Sequence, residues 1–161
     1  MATTYTNNQK LVTDALMDLL WTEFNPMPVS YSNTFDQSKM RLGKYLRFWL
    51  TDSEMIGFFA NGENRNYNFE LVWYWQDDRK EIKQIADNLT GPDIERTVRL
   101  LNNNSSYING DSVYCWHYLE IDYDNIPLPI AEIDDLETEK RGFGARLNIT
   151  IYRANIRGQD G

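Results

Sequence analysis

A single cysteine, Cys115, leaves this chain unable to form an internal disulfide, and a single histidine, His117, leaves it short of the ligands from which zinc sites are built. Both residues lie two apart on one alternating stretch and so point to the same face, with no third ligand cluster to join them; packing is the expected role, and no cofactor is expected. No apolar run approaches the roughly 20 residues of a membrane span or has a signal-peptide arrangement, which predicts a protein made in a reducing cytosol with no membrane partner. No Gly-x-Ser-x-Gly elbow is present, a Cys–His pair on one strand has no orienting third group, and the glycine spacings of phosphate and dinucleotide loops are missing. The glycines of Arg141-Gly142-Phe143-Gly144 read only as a flexible lead into a strand. Basic residues are also in deficit, 16 against 24 acidic ones, so at a net charge of −8 counterion release works against binding to nucleic acid or anionic lipid.

What the chain does have is aromatic residues, 14% of the total with ten Tyr and five Trp, side chains that bury much area at little rotamer cost in cores and interfaces alike. They concentrate in Tyr67-Asn68-Phe69-Glu70-Leu71-Val72-Trp73-Tyr74-Trp75. Tyr67, Phe69, Leu71, Trp73 and Trp75 alternate with Asn68, Glu70, Val72 and Tyr74, the period-2 pattern of a central strand with one face on a core. Trp73 and Trp75 are expected to pack in that core, a ligand-stacking platform being the less ordinary alternative.

The remaining elements arrange themselves around this strand. Thr6 and Gln9 have capping-box spacing, and Leu11, Val12, Ala15, Leu16, Leu19, Leu20 and Phe24 form one stripe of a helix that must stop at Asn25-Pro26-Met27-Pro28. A polar loop is expected to about Lys39, then a strand over Arg41 to Leu50. Thr51 to Asn66 holds Met55, Ile56, Phe58 and Phe59 ahead of Asn61-Gly62, and reads as a long hairpin or arm. Phe58 and Phe59 are adjacent, so in a strand one of them leaves the local core and marks an assembly surface, unless neighbouring loops cover both.

After the central strand, Asp78 with Glu81 starts a helix carrying Ile82, Ile85, Ala86 and Leu89, kinked at Gly91-Pro92 and resumed through Ile94, Val98 and Leu101 to Asn102-Asn103-Asn104. Val113 to Tyr123 alternates with bulk on both faces, which suits helices on one side and a neighbouring subunit or hairpin on the other. Pro127 to Lys140, with Pro129, Glu132, Asp134, Asp135, Glu137 and Glu139, is expected to be an exposed acidic loop, and Phe143 to Ile156 a terminal strand. Asp122 and Asp124, like the Glu132 to Glu139 run, could in principle serve Ca²⁺ or a glycosidase-like pair, but neither has ion-loop spacing and a solvated surface is the ordinary reading. The Asn-x-Ser/Thr triplets at Asn88, Asn104 and Asn148 carry no weight without a secretory route. The length suits one domain over residues 1–161, and the order of elements predicts an α+β fold: a mostly antiparallel sheet of about four strands with a long hairpin arm, packed by an N-terminal helix and a kinked central helix.

From the Leu11 to Phe24 helix through the Thr51 to Asn66 arm, the Tyr67 to Trp75 strand, the Lys80 to Leu101 helical segment and two closing strands, this order resembles the tail terminator, or tail-completion, proteins of long-tailed bacteriophages. The resemblance covers roughly Gln9 to Ile156. It implies a non-catalytic virion protein of the tail and neck, assembled in the host cytoplasm: a self-associated ring, commonly hexameric, that caps the tail tube, ends tube polymerisation and docks the head connector while DNA passes through unbound. Met55, Ile56, Phe58 and Phe59 are the expected subunit or tube interface, and Glu132, Asp134, Asp135, Glu137 and Glu139 the expected channel or connector surface. The main rival in another class is an acidic DNA-mimic inhibitor, for which Lys and Arg are too evenly interleaved through most of the chain; a small enzyme using Asp122 or Asp124 ranks below both.

Overall fold

A computed structural model describes residues 7–60, 62–76, 91–104, 107–108, 115–135 and 140–157, with side chains over 7–36, 38–40, 42–60, 62–75, 91–104 and 146–153. The first helix, α1, spans Asn8–Phe24. Its N-cap is Asn7, one residue past the expected Thr6, and the Asn7 side-chain oxygen accepts a hydrogen bond from the Lys10 backbone N–H at 3.0 Å. Val12, Ala15, Leu16, Leu20 and Phe24 form its buried stripe, and it ends where Asn25 precedes Pro26.

The expected polar loop contains two short elements. Strand β1, Val29–Tyr31, runs parallel to the start of the next strand, and a 3-10 turn covers Gln37–Leu42. Asp36 caps this turn by accepting from the Ser38 N–H, and Gly43 closes it in the left-handed region (φ 74°) with its N–H on the Met40 carbonyl at 2.7 Å. Strands β2, Lys44–Phe59, and β3, Gly62–Gln76, then form one long antiparallel hairpin. Phe59 pairs with Gly62, so the expected long hairpin arm is a ladder paired to its end.

Beyond the hairpin lie α2, Gly91–Asn103, then β4, Tyr107–Ile108, β5, Cys115–Asp135, and β6, Lys140–Arg157. The sheet order is β1-β2-β3-β6-β5-β4, antiparallel except for the β1–β2 pair, so the fold is α+β with four long strands at its centre. The first half of the expected kinked helix, about Asp78 to Leu89, lies outside the described residues. Gly91 and Pro92 open α2, where proline is favoured because its missing donor falls among groups that lack a helical partner in any case.

Pro127 to Asp135, read as an acidic loop, is the second half of β5, paired with β6 through Leu128↔Gly144, Pro129↔Phe143 and Ile130↔Gly142. Here β5 borders β6 on one side and has no described partner on the other, β4 reaching only Cys115 and Trp116. An edge strand tolerates proline and charge because its outer donors have no ladder to complete.

The core lies between the helices and one sheet face. Leu46 and Phe48 of β2, Tyr67, Phe69, Leu71, Trp73 and Trp75 of β3, and Leu147, Ile149 and Ile151 of β6 meet α1 together with Ile94 and Leu101 of α2. Trp73 is fully buried with its ring edge-on to Phe24 at 6.2 Å, so both tryptophans are core and not a ligand platform. Truncating such a residue to Ala costs roughly 3–5 kcal/mol. On the opposite face Met40, Tyr45, Val72 and Tyr74 form a smaller cluster, flanked by Phe35 and Trp49. The Tyr45 and Tyr74 rings stack at 4.8 Å, and burial pushes the Tyr45 phenol up to about 12 even though its oxygen accepts from the Asp36 N–H at 2.8 Å.

Candidate assembly surface

Past Leu50 and Tyr67 no described residue of β2 or β3 belongs to the core under α1 and α2, and β2, β3 and β6 continue together as an arm paired as far as Phe59↔Gly62↔Arg157. Polar cross-strand contacts replace the apolar core here. On one face, Thr150 Oγ1 donates to Asn68 Oδ1 at 2.7 Å, Asn68 Nδ2 donates to Asp52 Oδ1 at 2.6 Å, and Thr51 Oγ1 donates to the Asn68 carbonyl at 3.0 Å. On the other, Arg65 donates through Nε to Glu63 Oε1 at 2.8 Å and through Nη1 to Ser53 Oγ at 3.1 Å. The Glu63 carboxylate raises the Arg65 pKa further. These contacts join all three strands, so the arm is a braced ladder.

At its end apolar side chains meet solvent: Phe58 is 81% exposed, Met55 51%, Ile56 48% and Phe59 36%. Register sets the directions. Met55 lies opposite Arg65, Phe58 opposite Glu63 and Phe59 opposite Gly62, and directly paired residues project to the same face. Met55 and Phe58 therefore extend the helix-bearing face, and Phe59 turns to the other. A β-bulge between Met55 and Gly57 places Ile56 as the extra residue. Adjacent apolar side chains on both faces of one strand end cannot all be covered by the chain's own core, as their exposure bears out.

The acidic residues are distributed differently. Glu132, Asp134 and Asp135 lie in the final stretch of β5, with Asp135 paired to Lys140; Glu137 and Glu139 lie outside the described residues. Asp122 and Asp124 stand earlier on β5, opposite Asn148 and Arg146, and Cys115 and His117 are at its start. Among the described residues no group of three or more His, Cys, Asp or Glu side chains converges as a metal site, and no helix is long and apolar enough to cross a membrane. Exposed Trp21, Tyr31 and Leu42 escaped the sequence reading. Tyr31 sits on a strand of 3 residues and Leu42 ends the 3-10 turn, elements too short to produce a periodic signal.

No protein-family model matches the chain, and no curated protein matches it. Among solved structures, the PVC sheath/tube terminator of an extracellular contractile injection system, in its extended state, aligns at 13% identity with a TM-score of 0.50 over 98% of this chain. The chain shares the fold of this sheath/tube terminator. It spans 60% of that protein's length. A second solved chain, whose name states no function, aligns at 14% identity and a TM-score of 0.50 over 93% of this chain and 98% of its own. At these identities the likeness is one of fold.

Proposed function

We propose that this chain is a structural terminator of a phage or phage-like tail: a non-catalytic virion protein that assembles with itself into a ring, probes the end of the tail tube with its arm and stops further addition of tube subunits. The observation that carries this reading is the exposed apolar end of the arm, Phe58 above all, on a fold shared with a sheath/tube terminator. An apolar strand end held away from the core by a polar, braced ladder is costly to leave in water and suits a surface that becomes buried on assembly. A hexamer is the expected ring, with the tube protein on one side and the head connector or neck protein on the other.

The acidic part of β5, with Glu132, Asp134 and Asp135, together with Glu137 and Glu139, is proposed to face the DNA channel or the connector. A negative surface lets DNA pass without engaging its phosphates. The experiment that tests the terminator reading is tube growth in vitro or in infected cells. Tubes should end at a uniform length in the presence of the chain and overgrow in its absence; unchanged tube lengths would overturn it.

A further inference from the structure

We infer that the two ends of β2 are complementary surfaces, so that the arm end of one copy docks against the 3-10 corner of a second copy of this chain. The inference rests on the proposal that the chain assembles with itself, and it names the surfaces that meet. Charge along the sequence is divided sharply at Leu50 to Asp52. Residues 37–51 contain Lys39, Arg41, Lys44 and Arg47 and no acid, whereas residues 52–63 contain Asp52, Glu54 and Glu63 and no base, in a chain whose net charge is −8.

Local pairing decides which of these charges face solvent. Glu63 is held by Arg65, Arg153 at the base of the arm is buried and Arg157 lies on β6 opposite Gly62, one strand in from the edge, so the exposed charges of the outer strand itself are Asp52 and Glu54. At the other end Arg47 donates to the Tyr74 hydroxyl at 2.6 Å and stacks on Trp49 at 4.5 Å. Lys39 is exposed and Lys44 half-buried over the Trp75 ring. Of the neighbouring acids, Asp36 is engaged by the N–H and hydroxyl of Ser38, and Asp93, within reach of Lys44, is largely buried.

Each charged end also carries exposed apolar area: Met55, Ile56 and Phe58 on the acidic side, Leu42 and Tyr31 on the basic side. A strand of 16 residues is roughly 50 Å long at about 3.3 Å per residue, so one copy cannot bring its own two ends together. The contact is therefore between copies. Because it joins two different surfaces, it propagates from copy to copy and closes as a ring when the rotation allows. Opposed charges fix the register of such a contact, and the apolar groups supply the buried area.

The test uses the full chain with Lys39→Glu and Glu54→Lys, exposed residues outside the core. Each variant alone should self-associate about ten-fold more weakly than the parent by sedimentation, since every junction then sets like charges together. An equimolar mixture of the two should recover association, because each copy's intact or reversed end meets an opposite charge on its neighbour, and so should the chain carrying both changes. Salt should weaken the parent and the mixture alike. Parent-like association of either single variant, or no recovery in the mixture, would overturn the inference, as would a parent that stays monomeric at all concentrations. Tube-length assays read separately: tubes capped normally by charge variants that associate normally would remove this docking geometry and leave the terminator reading intact. The predicted association pattern with no effect on tubes would do the reverse.

Discussion

Arg96 of α2 grips the end of α1 at Glu23 through two different groups. Its Nε donates to the Glu23 carboxylate at 2.5 Å, its Nη2 donates to the Glu23 carbonyl at 2.6 Å, and its guanidinium lies over the Phe24 ring at 5.1 Å. The side-chain ion pair is largely exposed and by itself contributes little. The bond to the carbonyl satisfies one of the last helical acceptors, which have no partner within α1.

Arg96→Met should therefore destabilise the chain by about 1 kcal/mol in urea denaturation. Arg96→Lys should recover only part of that loss, because a single ammonium cannot hold carboxylate, carbonyl and ring face together. Equal stability of the parent and both variants would mean that the helices are held by their apolar contacts alone.

Asp93, in the first turn of α2, gives a pH-dependent prediction. Burial pushes its carboxyl from 3.8 up to about 6, against the pull of Lys44 and Arg96, and its Oδ2 is buried without a hydrogen-bond partner among the described residues. The folded state binds this proton more tightly than the unfolded chain does. Its contribution to stability is thus complete below pH 3.8 and is lost as pH rises through about 6. Undiluted, that displacement corresponds to roughly 3 kcal/mol, and partial exposure lowers the expected value to about 1 kcal/mol. Asp93→Asn should remove this part of the pH profile and raise stability at pH 7; a parallel profile in the variant would contradict it.

Gly43 ends the 3-10 turn at φ 74°, a conformation that costs a residue with a Cβ. Gly43→Ala should lower stability by about 1 kcal/mol and Gly43→Asn by less, since Asn visits the left-handed region more readily. Thermal denaturation of the two variants would show the order, and an Ala variant as stable as the parent would mean that the turn relaxes.

The parts of this fold that could be read from the sequence are those with a long period. Tyr67 to Trp75 and the stripe from Leu11 to Phe24 repeat often enough to name the element and its helix-covered side, which the structure buries at Val12, Ala15, Leu16, Leu20 and Phe24 and at the odd positions of β3; the pattern did not show that Val72 and Tyr74 are buried as well, on the other face. β1 could not be read, because Val29–Tyr31 is too short to show alternation and its parallel pairing with Leu46 to Phe48 is set by distant residues. Pro127 and Pro129 pointed to a loop because proline excludes a central strand; that β5 forms the border of β6 there is a property of topology, not of local sequence. Arg153 continues the Leu147, Ile149, Ile151 alternation into a buried position, and its charge hid that continuity. At the candidate surface the adjacency of Phe58 and Phe59 was informative, since two neighbours on one strand must face opposite ways. The contribution of Leu42 and Tyr31 needed the fold.

The arm end provides the sharpest separation of folding from assembly. Phe58 is 81% exposed, with Met55 beside it on the same face and Phe59 on the other, so neither phenylalanine contributes much to the core defined by Trp73 and its neighbours. Phe58→Ser with Phe59→Ser should therefore change unfolding free energy by no more than about 0.5 kcal/mol, as for exposed positions generally. If the arm end becomes buried on assembly, the same double variant should lose self-association, tube capping or both, because a large aromatic at the centre of an interface commonly contributes about 2 kcal/mol or more. Testing Phe58→Ser and Phe59→Ser singly then assigns each face: a variant that associates but does not cap marks the face toward the tube, and one that caps poorly because it stays monomeric marks the face toward the neighbouring copy. A collapse in thermal stability, with normal assembly of the protein that remains folded, would show instead that these residues support the fold and would remove the arm end from the assembly surface.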